Sequence, residues 1–254
     1  RNINTIFQIK LTNLRYYNKS YKIIKIKKQR IILMDAILPA AGLATRMQGI
    51  PKFLLPSSRE YDSLIGLHID NLIKHCERIW IPTRPDLVLL FDTFGFRNEK
   101  ITILPMSTKT MSETITKVLS ISKAETHFLC MPDTYFFGEK PYELLNKNPL
   151  IADVACWNIR EDQFGKLGQV KVGDDYITDI KDKDKNCKYN LNWGCFTFSR
   201  DLIPFIDDND PHLGYALSNA IEDEQKIQYK IINGSYYDCG TPDEYLNMLK
   251  NVIN

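Results

Sequence analysis

The stretch Met34-Asp35-Ala36-Ile37-Leu38-Pro39-Ala40-Ala41-Gly42-Leu43-Ala44-Thr45-Arg46, followed after a short spacer by Pro51-Lys52, decides how this chain is read. Its apolar run Ala36-Ile37-Leu38 is long enough for a buried strand and too short for a helix. From Ala40 to Ala44 the chain carries almost no side chain apart from Leu43. A loop this bare lets backbone N–H groups approach a ligand closely, and phosphates are the usual guests. Arg46 offers a planar fork of donors to phosphate oxygens, and Lys52 a compact point charge. Two cations bracketing a bare loop after a strand read as a polyphosphate cradle; the plainer reading is a turn of small residues with two surface cations. The stretch is neither a P-loop, since Gly-x-x-x-x-Gly-Lys-Ser/Thr is absent, nor a dinucleotide fingerprint, since Gly42 has no glycine two residues on.

Working outward, Ser63 to Cys76 predicts a helix, with Ile65, Ile69, Leu72, Ile73 and Cys76 on one stripe. His68 and His75 fall outside that stripe and are expected at the surface. Ile79 to Ile81 and Lys100 to Leu104 read as a second and a third strand, with an ambiguous region between. Ser107 to Thr114 is rich in hydroxyl residues, among them Thr110 and Ser112, ahead of the apolar positions Ile115, Val118 and Leu119. Hydroxyls there cap a helix N-terminus, and that end favours an anion. Thr126 to Met131 predicts a fourth strand, and Asp133 follows its carboxyl end, where open α/β sheets bind ligands. Asp153 to Ile159 predicts a fifth strand. Gly168 to Val172 and Tyr176 to Ile180, joined through Gly173-Asp174-Asp175, predict a hairpin. At the end of the chain Thr241, Pro242 and Glu244 form a capping-box pattern, with Leu246, Leu249 and Ile253 as the buried face. The box leaves Asp238 unexplained. The strand–helix–strand rhythm predicts an α/β fold, a mostly parallel central sheet with helices on both faces.

Composition sets outer limits. An apolar fraction of 44 % and a charged fraction of 25 % over 254 residues are ordinary for a globular chain with a sizeable core. No apolar run approaches the length of a membrane-spanning helix, so no membrane partner is expected. Six scattered cysteines without a Cys-x-x-Cys pair argue against a zinc site or a disulfide scaffold and suit a reducing, cytoplasmic setting. Residues 1–33 hold nine Lys/Arg and no acid, while the remainder holds 24 Lys/Arg against 31 Asp/Glu. An acidic body behind a basic leader is not the charge pattern of a nucleic-acid-binding domain, so no nucleic-acid partner is expected either. The leader is expected to be disordered or not native, because the first Met is Met34; a transit peptide is the rival reading, weakened by low Ser and an excess of Lys over Arg. A single domain is expected over 34–254.

Segments of the chain, in order, resemble the sugar-1-phosphate nucleotidyltransferases, which activate a sugar 1-phosphate with an NTP. Their pattern A-A-G-x-G-T-R, spacer, P-K reads here Ala40-Ala41-Gly42-Leu43-Ala44-Thr45-Arg46 and Pro51-Lys52, with Ala44 in place of the second glycine. Their G-D-x-x-F element is matched at Asp133 and Phe136, and their W-x-D-x-G-T-P-x-D/E-Y ending at Tyr236 through Tyr245. Their I-x-E-K-P hairpin and N-x-G strand are matched at Ile180 to Asp184 and Asn192 to Gly194. The isoprenoid cytidylyltransferases share the first signature, but the Gly240-Thr241-Pro242 ending and the absence of a D-A-A-R-type segment favour the sugar-phosphate branch.

The resemblance implies a Rossmann-like, GT-A-like three-layer α/β/α fold with a mostly parallel central sheet and a small β-hairpin insertion. It implies nucleotide contacts from Ala40, Ala41, Gly42, Leu43, Thr45, Thr110 and Ser112, although Met111-Ser112-Glu113 departs from the family's G-T-A turn. It implies Mg²⁺ on Asp133 and Asp238, triphosphate held by Arg46, and Lys52 beside the α-phosphate. It implies that Lys183, with Lys181 as rival, meets the acceptor phosphate, and that Asn192 and Gly194 line the sugar pocket. Relatives are often homo-oligomers, and the sequence leaves the oligomeric state of this chain open, with a homo-oligomer as one option. The reaction implied is condensation of an NTP with a sugar 1-phosphate to an NDP-sugar and pyrophosphate. Two alternatives stand beside it. One is a cytidylyltransferase for phosphocholine or another polar-alcohol phosphate, with Trp193, Phe196, Tyr236 and Tyr237 as an aromatic box. The other is a non-catalytic nucleotide-sugar-binding domain. A retaining glycosyltransferase is disfavoured because no Asp-x-Asp stands beside Asp133.

Overall fold

A computed structural model describes residues 33–60 and 62–252, within one compact unit, Ile32–Asn254. The basic leader expected over 1–33 lies outside the described residues apart from Leu33. Strand β1 (Met34–Ile37) is buried along its whole length. Met34, Ala36 and Leu38 join one hydrophobic core and Ile37 the other. That is the two-residue alternation of a strand covered on both faces.

Beside β1 lie β2 (Arg78–Thr83) and then β3 (Ile101–Pro105), both parallel to it. On its other side lies β4 (Thr126–Cys130), also parallel. The chain therefore leaves β1 in one direction and returns on the other side, which makes the β1–β4 junction a topological switch point. Beyond β4 the sheet continues through β9 (Leu191–Ser199), β6 (Ala152–Asn158) and β10 (Gln228–Ile231). Within this order β9 alone runs antiparallel. Strands β7 (Gly168–Val172) and β8 (Ile177–Asp182) form the expected hairpin, attached through β7 to β9.

Helices α1 (Leu64–Leu72) and α2 (Val88–Thr93) cover one face, contributing Ile65, Ile69, Leu72 and Phe91 to its core. Helices α3 (Met111–Ile121) and α5 (Gly214–Glu222) cover the other, with Ile115, Val118, Leu119, Ala216, Leu217 and Ala220. Between them in sequence lies the single turn α4 (Pro141–Leu144), whose Tyr142 is buried. The three-layer α/β/α arrangement and mostly parallel sheet expected from the sequence are both present.

Four expectations need correction. The strand at Asp153 is the sixth, because Thr134–Gly138 forms β5, which pairs with β11 (Gly234–Asp238) in a separate antiparallel ribbon. His68 is buried at 2 % exposure, since β5 and α4 cover the flank of α1 and supply polar partners. The last helix, α6 (Pro242–Val252), docks through Met248, Leu249 and Val252 onto Leu64 and Tyr237, whereas Leu246 is half exposed; Ile253 lies outside the described residues. The capping box is also half formed. Thr241 Oγ1 accepts the Glu244 N–H, but the Glu244 carboxylate is drawn 3.1 Å from Arg160 instead of back to the cap. All six cysteines are buried free thiols, and no helix among the described residues is long and apolar enough to cross a membrane.

Candidate active site

The site is built at the carboxyl ends of β1 and β4, where the switch point opens a crevice. Pairing of β1 with β2 continues past the strand, as Ala40 N–H donates to Pro82 O and Thr83 Oγ1 donates to Ala40 O. This holds the bare loop extended. Among the described residues a side chain added at Gly42 would meet nothing within 4 Å, so the loop presents open backbone to the crevice. Ala44, standing where the resembling pattern has its second glycine, adopts φ 50°, a left-handed conformation that strains an alanine. Its carbonyl accepts the N–H groups of Met47 and Gly49, closing the turn that carries Arg46.

Two adjoining cavities follow. The first, of about 430 Å³, is lined by the loop from Pro39 to Thr45, by Arg84, which donates to Gly42 O at 3.3 Å, and by Lys109 and Thr110. The second, of about 180 Å³, is lined by Arg46, Lys166, Asp182, Lys183, Trp193, Tyr236 and Asp238. Both share Lys52, Met111, Met131, Asp133 and His212, so these five residues form the seam. At that seam Lys52 Nζ lies 2.5 Å from Asp133 Oδ2, with both side chains less than one-fifth exposed.

Asp133 and Asp238, 105 positions apart, meet because β11 pairs with β5 in a register that sets Asp238 opposite Thr134. Cys239 N–H then donates to Asp133 O at 3.0 Å, tying the two turns together. Asp238 Oδ1 accepts the Gly240 N–H at 3.0 Å. A Cβ on Gly240 would lie 2.8 Å from that oxygen and would push the carboxylate aside. Burial, and then the charge of Asp133, push the Asp238 carboxyl above its usual range, against the pull of Lys52, Arg46 and Lys183. Asp182 is likewise raised, mainly by burial.

Behind the Asp133 turn stands the misjudged His68. A carbonyl can only accept, so the contact of Nε2 with Thr134 O at 2.9 Å places the proton there; Nδ1 then accepts from Tyr142 Oη at 2.6 Å. Burial lowers the His68 pKa to about 4, which keeps the ring neutral. The imidazole thus braces the backbone one residue beyond Asp133.

Several residues named from sequence lie elsewhere. Ser112 is buried on α3 and lines neither cavity. Asn192 is fully buried, its Nδ2 donating to Trp193 O and its Oδ1 without a partner among the described residues. Gly194 is the extra residue at a bulge in the β6–β9 ladder, where a Cβ would lie 2.4 Å from the Tyr236 ring and 2.7 Å from Trp157. Its lack of a side chain serves packing. Arg46 lines the second cavity and not the first. Of the rival lysines, Lys183 lines the second cavity, while Lys181 points to Asp179 at 3.3 Å on the outer face of the hairpin. The aromatic box does not assemble: Phe196 is buried in the core beneath α3, and Tyr237 lies under Arg160. Arg84, Lys109, Lys166 and His212 were not singled out in the sequence, because they stand in loops with no local pattern.

Among the described residues no group of three or more His, Cys, Asp or Glu could hold a metal ion. Two carboxylates in one cavity, one of them half-buried and repelled by the other, nevertheless suit Mg²⁺. That ion takes one or two carboxylates and completes its shell with water and substrate phosphates.

The sequence matches no protein-family model, and it matches no curated protein. Solved structures do match. A UDP-glucose pyrophosphorylase complexed with UDP-glucose superposes with a TM-score of 0.72 at 19 % identity, over 86 % of this chain and 98 % of the other. An inositol-1-phosphate CTP transferase from T. maritima gives 0.69 at 15 % identity, over 87 % and 96 %. A protein named as a glucose-1-phosphate thymidylyltransferase, from Bacillus anthracis and in complex with a sucrose, gives 0.69 at 18 % identity, over 87 % and 96 %. The fold is the Rossmann-like fold of these nucleotidyltransferases. At such identities the likeness is one of fold, and nearly the whole length of each of these chains is represented here. Within this fold the two cavities and their charged seam are the features that bear on chemistry.

Proposed function

We propose that the chain condenses an NTP with a sugar 1-phosphate, giving an NDP-sugar and pyrophosphate. The observation that carries this reading is the seam: two cavities, each suited to a phosphorylated molecule, meet at one half-buried Lys52–Asp133 pair. The neighbours named above as pyrophosphorylase, CTP transferase and thymidylyltransferase support the same class.

The larger cavity would take the nucleotide, with its phosphates along the loop from Ala40 to Thr45. The smaller one would take the acceptor. An oxygen of the acceptor phosphate attacks the α-phosphorus; the bond from that phosphorus to the bridging β-phosphate oxygen breaks, and pyrophosphate carries the electron pair away. A phosphomonoester has a second pKa of about 6, so the nucleophile is already ionised near neutrality and needs no protein base. The protein is left with alignment and charge neutralisation. Lys52, at the seam, neutralises charge between the two reacting phosphates. Arg46 and Lys183 hold phosphate oxygens on the acceptor side. Asp133 and Asp238 would hold Mg²⁺, which on binding withdraws charge from phosphate oxygens.

The test is pyrophosphate release by the purified chain, with and without Mg²⁺, across the common NTPs plus dTTP and a panel of hexose 1-phosphates and phosphocholine. Release with a sugar phosphate supports the reading and identifies both substrates. Release with phosphocholine alone, or none from folded protein that binds NTP, overturns it.

A further inference from the structure

Lys183 stands on an unusual support. Its backbone is in the left-handed region at φ 54°, with its N–H donating to Leu167 O at 3.1 Å, so the hairpin end is pinned in a conformation few residues adopt. Its side chain leaves the hairpin and meets His212, Nζ to Nε2 at 2.7 Å. An ammonium has three donors and no lone pair. For this contact to be a hydrogen bond, Nε2 must be the unprotonated nitrogen, so His212 is neutral with its proton on Nδ1. Burial, and then the charge of Lys183, lower the His212 pKa, which agrees with a neutral ring. His212 lies 29 positions away on the loop before α5 and lines both cavities, whereas Lys183 lines the second alone. Nothing local in the sequence joins the two.

We propose that His212 is the positioning residue for Lys183: its neutral imidazole accepts from the ammonium and holds it at the seam end of the acceptor cavity. The inference rests on the acceptor assignment made above. Lysine on a flexible four-carbon stem is poorly preorganised by itself. A fixed lone pair at 2.7 Å selects one direction for the ammonium and leaves its other two donors for an incoming phosphate. Asp182 and Asp238 are the competing partners in the same cavity. An ammonium drawn to either would be turned from the phosphate, so removing the imidazole is expected to weaken acceptor binding more than nucleotide binding.

The experiment compares wild type with His212→Leu and His212→Gln, with circular dichroism confirming the fold. Initial rates give separate KM values for NTP and acceptor, and calorimetry measures binding of the sugar 1-phosphate identified in the panel, in the absence of NTP. His212→Leu is expected to raise the acceptor KM and Kd about tenfold, the worth of one charge-assisted hydrogen bond. The NTP KM should rise clearly less than the acceptor KM, since His212 lines the nucleotide cavity too but makes its hydrogen bond to Lys183. His212→Gln, whose side-chain carbonyl also accepts, should recover most of the loss. Lys183→Met combined with His212→Leu should be no worse than Lys183→Met alone, because one residue acts through the other. An unchanged acceptor KM in His212→Leu, an equal rise in both KM values, or full additivity with Lys183→Met would each refute the positioning role while leaving the proposed reaction standing. Inactive wild-type protein, by contrast, removes the reaction on which the role rests.

Discussion

Replacing Asp238 by Asn separates what the carboxylate does for chemistry from what it does to stability. The two shapes are alike, and the Asn carbonyl can still accept the Gly240 N–H now donated to Asp238 Oδ1. What changes is charge. Burial and the neighbouring Asp133 both disfavour the ionised form, and Lys52, Arg46 and Lys183 offset only part of that cost. Taking one carboxylate out of water costs several kcal/mol before its partners repay it, so a net gain on the order of 1 kcal/mol is expected for the variant at neutral pH. For a domain of this size that raises Tm by roughly 2–4 °C. The sign follows from linkage. The folded Asp238 pKa lies above the unfolded value of 3.8, so the native state binds the proton more tightly. Wild-type stability therefore falls as pH rises from near 3.8 through the raised folded pKa, and the advantage of the variant is complete above that window. Below the unfolded value both side chains are neutral and the difference vanishes. Turnover should move the other way, by roughly 10²-fold or more, the scale seen when one group that stabilises transition-state charge is removed. The assay pairs thermal melts of both proteins at pH 7 and near pH 4 with pyrophosphate release at saturating substrates. A variant that is less stable at pH 7, that keeps the same Tm difference near pH 4, or that turns over normally refutes the reasoning.

Other perturbations follow from the same geometry. Gly194→Ala forces a methyl group against the Tyr236 and Trp157 rings, and overpacking of this kind costs about 1–3 kcal/mol; an unchanged urea midpoint would show that the bulge is not packed as described. Lys183→Met should raise the acceptor KM by roughly tenfold or more, since a charge-assisted contact is lost, while Lys181→Met on the outer hairpin face should leave it alone; the reverse ranking would return the role to Lys181. Acid should expose His68. Its folded pKa of about 4 lies below the ordinary 6.5, so its contribution is whole above 6.5 and is lost as pH falls toward 4, by at most on the order of 3 kcal/mol. The stability difference between wild type and His68→Gln, from urea melts at pH 7 and pH 4.5, isolates that loss, and a pH-independent difference would count against a buried neutral imidazole.

Much of this was written in local sequence, because local patterns obey local physics. The bare run Ala40–Ala44 must be a loop, the apolar Ala36–Leu38 must be buried, and the hydroxyl of Thr110 caps α3 whatever surrounds it. The fold class and the loop with Lys52 and Asp133 were legible for that reason, as was Asp238, left over once the cap of α6 was accounted for. Other features depended on contacts between distant segments. His68 left the surface because β5 and α4 closed over it, which no stripe on α1 reveals. Gly194 proved to be space for a ring that arrives from β11, 42 positions later in the chain. The choice of Lys183 over Lys181 turned on the left-handed backbone of Lys183 just past β8, because strand alternation by itself would set positions 181 and 183 on the same face. His212 had no sequence signal at all, since a lone histidine in a loop acquires meaning only when folding sets its lone pair against another side chain's ammonium. Periodicity and capping are properties of neighbours in sequence; register, burial and charge pairing across a cavity are properties of neighbours in space, and the site is made of the second kind.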